Sequence, residues 1–218
     1  MKLKILVLVW LLFLIAGSAR AYDDGDLQVW NTDTEEFNIN KDSKIALEEE
    51  FRWGDNVDQF YYHHYDASCF HSINKYLSIG GGYRQVFELK KGKFMAEDEP
   101  YLAASLLWGM AGVSFEDRSR MEYRHFAYQA DSGRYRNKIT MKLPWKFTSL
   151  KIQPYVSDEG FFSLGGTNMF NQNRFCFGLG VSLAKNVKGE IYYMLQDTRS
   201  PGDWVDTNVL GTKLKIVF

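Results

Sequence analysis

Residues 134–146 set Tyr135, Ile139, Met141, Leu143 and Trp145 against Arg134, Arg136, Lys138, Lys142 and Lys146. Successive side chains of an extended chain point to opposite faces, so this alternation describes a strand with one apolar and one charged surface. The pattern recurs along the chain. Val113, Phe115, Met121 and Tyr123 alternate with Glu116, Arg118, Arg120, Glu122 and Arg124. Ile45, Leu47, Phe51 and Trp53 share a face opposite Lys44, Ala46, Glu48, Glu50 and Arg52, with Glu49 the exception. Leu77, Ile79, Tyr83, Phe87 and Leu89 lie opposite Arg84 and Glu88. Phe175, Phe177, Leu179, Val181 and Leu183 alternate with Arg174, Cys176, Gly178, Gly180 and Ser182, and Leu210, Leu214, Ile216 and Phe218 with Lys213 and Lys215.

A soluble antiparallel sandwich also alternates. Length separates the two cases. Strands of globular proteins run to about five or six residues, whereas these segments reach the roughly nine to eleven that a tilted strand needs to cross the hydrocarbon. Tight turns at 40–43, 74–75, 109–112 and 185–186 alternate with longer polar connections at 54–58, 90–99, 127–133, 158–172 and 197–207, as in membrane barrels. Trp53, Trp108 and Trp145 fall near strand ends, where an indole buries its ring and keeps its N–H wet. The expected fold is therefore all-β, a transmembrane antiparallel up-and-down β-barrel. Alternation gives about eleven strands, whereas single-chain bacterial barrels have an even number. A barrel beginning near Ser43 has ten, with residues 22–42 an N-terminal arm or plug; a hairpin from Leu27–Asn31 and Glu36–Ile39 makes twelve.

The first residues set the compartment. Lys2 and Lys4 precede an apolar run from Ile5 to Ile15, and Ala19-Arg20-Ala21 supplies a small-x-small cleavage pattern. The run is too short for a spanning helix. Residues 1–21 read as a cleaved signal peptide, with the barrel domain at 22–218 beginning at Tyr22. Cleavage takes the formal charge from −1 to about −4, which gives no reason to expect nucleic-acid binding. The expected location is the cell outer membrane of a Gram-negative bacterium, with outer-membrane lipid around a monomer.

Ionised groups facing lipid near the midplane cost several kcal/mol each, so the charged faces must line the lumen. Glu116, Arg118, Arg120, Glu122, Arg124, Arg134, Arg136 and Lys138 form the candidate lumen network, with Glu48, Glu50, Glu116, Glu122 and Glu190 the obvious carboxylate partners. Such a network either plugs and stiffens the barrel or forms a basic constriction that selects anionic solutes. Gly80-Gly81-Gly82 is no phosphate loop, since neither the helix nor the lysine of one follows; strand glycines allow bending, a bulge or close approach of lumen groups. His63, His64, His71 and His125 are available bases, and Ser68, Ser72 and Ser119 available nucleophiles, but no Gly-x-Ser-x-Gly elbow is present. His63 and His64 point to opposite faces, which disfavours a shared catalytic or zinc site. No cofactor is called for. Cys69 and Cys176 are too few to form a disulfide framework.

The stretches Gly80-Gly81-Gly82-Tyr83-Arg84-Gln85-Val86-Phe87-Glu88 and Asp117-Arg118-Ser119-Arg120-Met121-Glu122-Tyr123-Arg124, with Phe175 to Leu183, resemble the bacterial family catalogued as domain of unknown function 2490. The resemblance covers nearly all of the mature chain. It implies an outer-membrane β-barrel and offers no catalytic residues to carry over. The last strand, ending in Phe218 with Ile216, Leu214 and Leu210 on the same face, resembles the C-terminal signal read by the barrel-assembly machinery. Val209 stands where that pattern has a polar residue. The expected role is envelope structure or small-solute passage through a charged lumen, the alternative being a lipid-modifying enzyme.

Overall fold

The computed structural model describes residues 24–165, 169–200 and 203–218; the expected leader over 1–21 and the expected cut before Tyr22 lie outside them. Period-two alternation is realised as eleven strands: β1 (Asp26–Asn38), β2 (Ser43–Gly54), β3 (Gln59–Ser72), β4 (Leu77–Lys90), β5 (Lys93–Met110), β6 (Val113–Phe126), β7 (Ser132–Lys142), β8 (Gln153–Leu164), β9 (Met169–Ala184), β10 (Val187–Ser200) and β11 (Asp203–Val217). The shortest has 11 residues and the longest 18. They pair in chain order into a closed barrel, which leaves no unpaired sheet edge.

The strand count corrects the expectation of ten or twelve. Residues 26–38 form neither an arm nor a hairpin but one continuous strand. Gln28, Trp30, Thr32 and Glu36 keep a single inward phase along it, so no turn interrupts the alternation. One strand more than an even barrel forces the first and last strands to run the same way. Accordingly β1 closes on β11 in parallel, from Asp26 opposite Thr207 to Glu36 opposite Val217, while the other neighbours are antiparallel. A parallel ladder is only slightly less stable per residue than an antiparallel one, so eleven paired residues close the seam.

The connections also differ from expectation. Stretches 90–99, 158–172 and 197–207 are mostly strand, so the hairpins at that end lengthen instead of opening into loops. Lys91-Gly92 and Ala111-Gly112 are two-residue turns with both φ angles positive, the type I′ geometry that matches strand twist. The longest connection, 143–152, is at the end of the barrel that carries Phe218, and a Phe147–Ile152 bridge narrows it. Leu143, Trp145 and Lys146 thus lie beyond β7.

Three lumen tyrosines lie across glycines on the neighbouring strand: Tyr101 over Gly82, Tyr155 over Gly178 and Tyr192 over Gly211. A Cβ on those glycines would come within 2.7, 2.4 and 1.9 Å of the facing ring. The absent side chain is therefore what lets the ring lie flat against the barrel wall. Tyr155 and Tyr192 join Trp30, Cys176, Met194 and the fully buried Val209 in an apolar cluster on the wall formed by β1 and β8–β11. That cluster explains the apolar residue at 209.

The outer face carries Leu102, Met121, Ile139, Phe175, Phe177 and Ile191, all exposed. Trp53 packs on Phe60 near one end and Trp108 stacks on Phe115 near the other, with ring centroids 5.4 and 5.3 Å apart. Phe218 stacks on Phe37 at 5.0 Å and donates its N–H to the Glu36 carbonyl at 2.8 Å, tying the end of the chain to β1. Two sectors interrupt the apolar belt. Across β6–β9, Asn137 donates to Asp117 at 2.6 Å and Asn173 to Asp158 at 3.1 Å, so these polar groups satisfy one another. On β1–β2, Asp33 stands opposite Glu49 with Glu35 two residues along, and none of the three carboxylates has an ion-pair or hydrogen-bond partner among the described residues.

Candidate functional site: the charged lumen

Register puts acids and bases opposite each other on inward positions: Arg84 faces Asp66 and Glu99, Glu122 faces Arg134, and Glu159 faces Lys138. At the centre is Glu122, 1% exposed. Arg120 Nε lies 2.6 Å and Arg136 Nη1 3.1 Å from its Oε1, and Arg134 Nε donates to its Oε2. Glu99 receives Arg134 Nη2 at 2.5 Å and has Arg124 Nε at 3.3 Å. Glu97 receives both Nε and Nη2 of Arg124. Glu159 receives Arg136 Nη2 at 2.9 Å and Arg118 Nη2 at 3.3 Å. Like charges also face one another, Arg120 opposite Arg136 and Arg118 opposite Lys138. Such pairs are destabilising alone, and Glu122 and Glu159 offset them.

A second group closes the network on β2–β4. Asp66 takes Arg84 Nε at 3.0 Å and the Tyr101 hydroxyl at 2.8 Å. Glu48 lies 3.4 Å from Arg84 Nη2 and 3.3 Å from His64 Nε2. Glu50 pairs with Arg52 at 2.5 Å and accepts from the Thr32 hydroxyl at 2.8 Å. Arg52 in turn lies over Trp30, 3.6 Å from the ring centroid, which joins the charged wall to the apolar one.

Of the residues singled out from sequence, Arg118, Arg120, Glu122, Arg124, Arg134 and Arg136 enter this network. Glu116 keeps the inward phase but makes no ion pair among the described residues. Lys138 faces the lumen without a carboxylate in contact. Of the expected partners, Glu48, Glu50 and Glu122 serve; Glu190 instead accepts from the Tyr155 hydroxyl at 3.0 Å. Sequence reading missed Asp66, Glu97, Glu99 and Glu159. Glu97 and Glu99 share parity with Tyr101, Ala103 and Ser105, and Glu159 with Tyr155, Ser157 and Phe161, all buried. Following that parity into stretches taken for loops would have found them.

Three cavities lie in series along the lumen. A vestibule of about 490 Å³ occupies the end away from Phe218, a central chamber of about 120 Å³ follows, and a third of about 150 Å³ lies toward the Phe218 end. Arg52, Arg84, Arg136 and Arg174 border both vestibule and chamber. Glu48, Arg84, Arg118 and Arg120 border both chamber and third cavity. The partitions are therefore mainly guanidinium groups.

The other candidate chemistry is dispersed. His64 faces the lumen and His63 the outer aromatic cluster, stacked on Phe87 at 4.8 Å. His71 bonds the Ser43 hydroxyl and His125 the Asp131 carboxylate. The Ser68 hydroxyl donates to the Ala46 carbonyl and that of Ser119 bonds Tyr135, so neither pairs with a histidine. Among the described residues no cluster of three or more His, Cys, Asp or Glu is arranged to hold a metal. Cys69 is exposed and Cys176 is buried in the lumen, both as free thiols.

A closed barrel of long strands with an apolar outer belt and an ion-paired lumen defines the outer-membrane class of β-barrel, and it supports an outer-membrane location. The chain belongs to the family described as "Protein of unknown function (DUF2490)", whose model matches residues 27–207. Searches of curated proteins and of solved structures find no match.

Proposed function

We propose that this barrel passes small anionic solutes across the outer membrane. The observation that carries the reading is the series of three lumen cavities whose partitions are mainly arginines. The vestibule has seven arginines on its wall, Arg124, Arg134 and Arg199 besides the four at its floor, against Glu88, Glu97 and Glu99. A basic lining raises the local concentration of anions and discriminates against cations. The salt bridges position the guanidinium groups while leaving space between them. No chemical step is assigned to the protein.

In this reading the chain is exported with removal of residues 1–21 and works as a monomer in outer-membrane lipid. Phe218 is the terminal element read by the barrel-assembly machinery, and the end of the barrel bearing it faces the periplasm. Planar-bilayer recording tests the proposal. Under a salt gradient the reversal potential should lie toward the anion equilibrium potential, and Arg174→Glu should move it toward the cation. A barrel that inserts fully and conducts no ions, or conducts cations preferentially, would sink the reading.

A further inference from the structure

The lining of the central chamber is not electrically balanced. Glu50 pairs with Arg52, Asp66 and Glu48 with Arg84, Glu159 with Arg118 and Arg136, and Glu122 with Arg120. Three further bases line the same chamber, Lys138 on β7, Arg174 on β9 and Lys213 on β11. None has a carboxylate within ion-pair distance among the described residues. Among the described residues the Arg174 guanidinium donates only to the Gln196 side-chain oxygen at 2.8 Å, between the rings of Phe161 and Trp30. Lys213 lies 5.5 Å from the Tyr192 ring centroid. Glu159, opposite both Lys138 and Arg174 in register, directs its bonded oxygen to Arg118 and Arg136 instead, and Glu190, opposite Lys213, accepts from the Tyr155 hydroxyl.

Arg120, only 5% exposed on the partition, adds a second sign of incompleteness. Its Nε and Nη2 hydrogens are not aligned with any acceptor. Cations gathered beside the apolar wall of Trp30, Tyr155 and Tyr192 carry a desolvation cost that only an opposite charge or loss of a proton relieves. We infer that the central chamber is a binding site for a small multivalent oxyanion of the phosphate class, held between Lys138, Arg174 and Lys213. Three unmatched positive charges call for more than one negative charge. The chamber volume of about 120 Å³ has room for a few waters, which suits a bare tetrahedral oxyanion. This deepens the passage reading and rests on it: a saturable site midway along the lumen would make passage selective among anions.

The test uses the purified full barrel in detergent micelles, titrated calorimetrically with inorganic phosphate at constant ionic strength. Saturable binding of one phosphate per barrel is expected, with sulfate competing and chloride failing to compete at equal concentration. Lys138→Met with Lys213→Met should weaken phosphate about tenfold or more while the barrel stays folded by heat-modifiable electrophoresis. Lys188→Met, whose side chain lines none of the three cavities, should change nothing. Absence of saturable binding, equal competition by chloride, or undiminished binding in the folded double variant would overturn the inference. So would a double variant stabilised equally with and without phosphate, which would mean that the two lysines are neutral and unliganded. A barrel that conducts anions and binds no phosphate would overturn this site and leave the passage reading standing. One that binds phosphate and passes no current would support the site and remove the passage.

Discussion

Glu122→Gln is the sharpest perturbation of the lumen network. The substitution keeps the volume of the side chain and removes the charge shared by Arg120, Arg134 and Arg136. Arg136 retains Glu159 at 2.9 Å and Arg134 retains Glu99 at 2.5 Å. Arg120 keeps only Asp66 and Glu99, each at 3.9 Å, and bears most of the loss. Removing one partner of a buried pair costs about 3–5 kcal/mol because the other charge is left uncompensated. With two of the three arginines still paired, the lower end, about 3 kcal/mol, is expected. Adding Arg120→Met should restore most of it, since an apolar group of similar volume carries no desolvation cost. Glu116→Gln, on the same face of β6 with no ion pair, should stay within about 0.5 kcal/mol of the parent. Reversible unfolding by guanidinium in lipid vesicles, followed by tryptophan fluorescence, measures all three. If Glu122→Gln and Glu116→Gln lose equal stability, the network does not hold the lumen as described.

Sidedness can be read at neighbouring positions: in a Cys69→Ser, Cys176→Ser background, a lipid-confined relaxation agent should reach a spin label at Ile139 and not one at Lys138, and equal accessibility would refute the two-faced strand. Glu49→Leu should stabilise the barrel in lipid by about 1 kcal/mol, because the unpartnered carboxylate on the outer face costs less than the roughly 2–4 kcal/mol of a basic residue there but more than leucine; a loss of stability would show that the β1–β2 sector does not meet hydrocarbon. Asp131, in the β6–β7 connection, is held down to about 2 by hydrogen bonds from the Tyr123 hydroxyl, His125 and the Phe126 N–H. A lowered carboxyl stabilises the connection above the ordinary value of 3.8, and that contribution disappears as pH falls through about 2. Amide exchange at Phe126 should therefore lose its excess protection over that acid range, and Asp131→Asn should abolish the step.

The barrel class was legible because lipid imposes a coarse rule, one face apolar and one not, which strands such as β6 and β7 obey along most of their length. Alternation gave about eleven strands, and the even-number rule for single-chain barrels displaced that count to ten or twelve. Thr32-Asp33-Thr34-Glu35 reads as polar and turn-like in sequence, and only its pairing with both Glu50-to-Leu47 on β2 and Lys213-to-Ile216 on β11 makes it the middle of a strand. The basic half of the lumen site was visible for the same reason as the fold, since arginines at alternate positions stand out. The acidic half was hidden because Glu97, Glu99 and Glu159 lie in polar stretches where loop and strand have the same composition. That Lys138 lacks a carboxylate partner could not be read from alternation at all. It depends on where the Glu159 oxygen turns in three dimensions.

The parallel seam between β1 and β11 also has a compartmental consequence. With an odd number of crossings, the two ends of the described chain emerge at opposite mouths, residue 24 beside the vestibule and Phe218 at the far end. A reporter fused before residue 24 and one fused after Phe218 would therefore sit on different sides of the same bilayer. Joining the ends into a circular permutant would require a linker running the height of the barrel, roughly 30 Å for strands of this length. Parity thus separates the two ends of the described barrel as firmly as a membrane-spanning segment would.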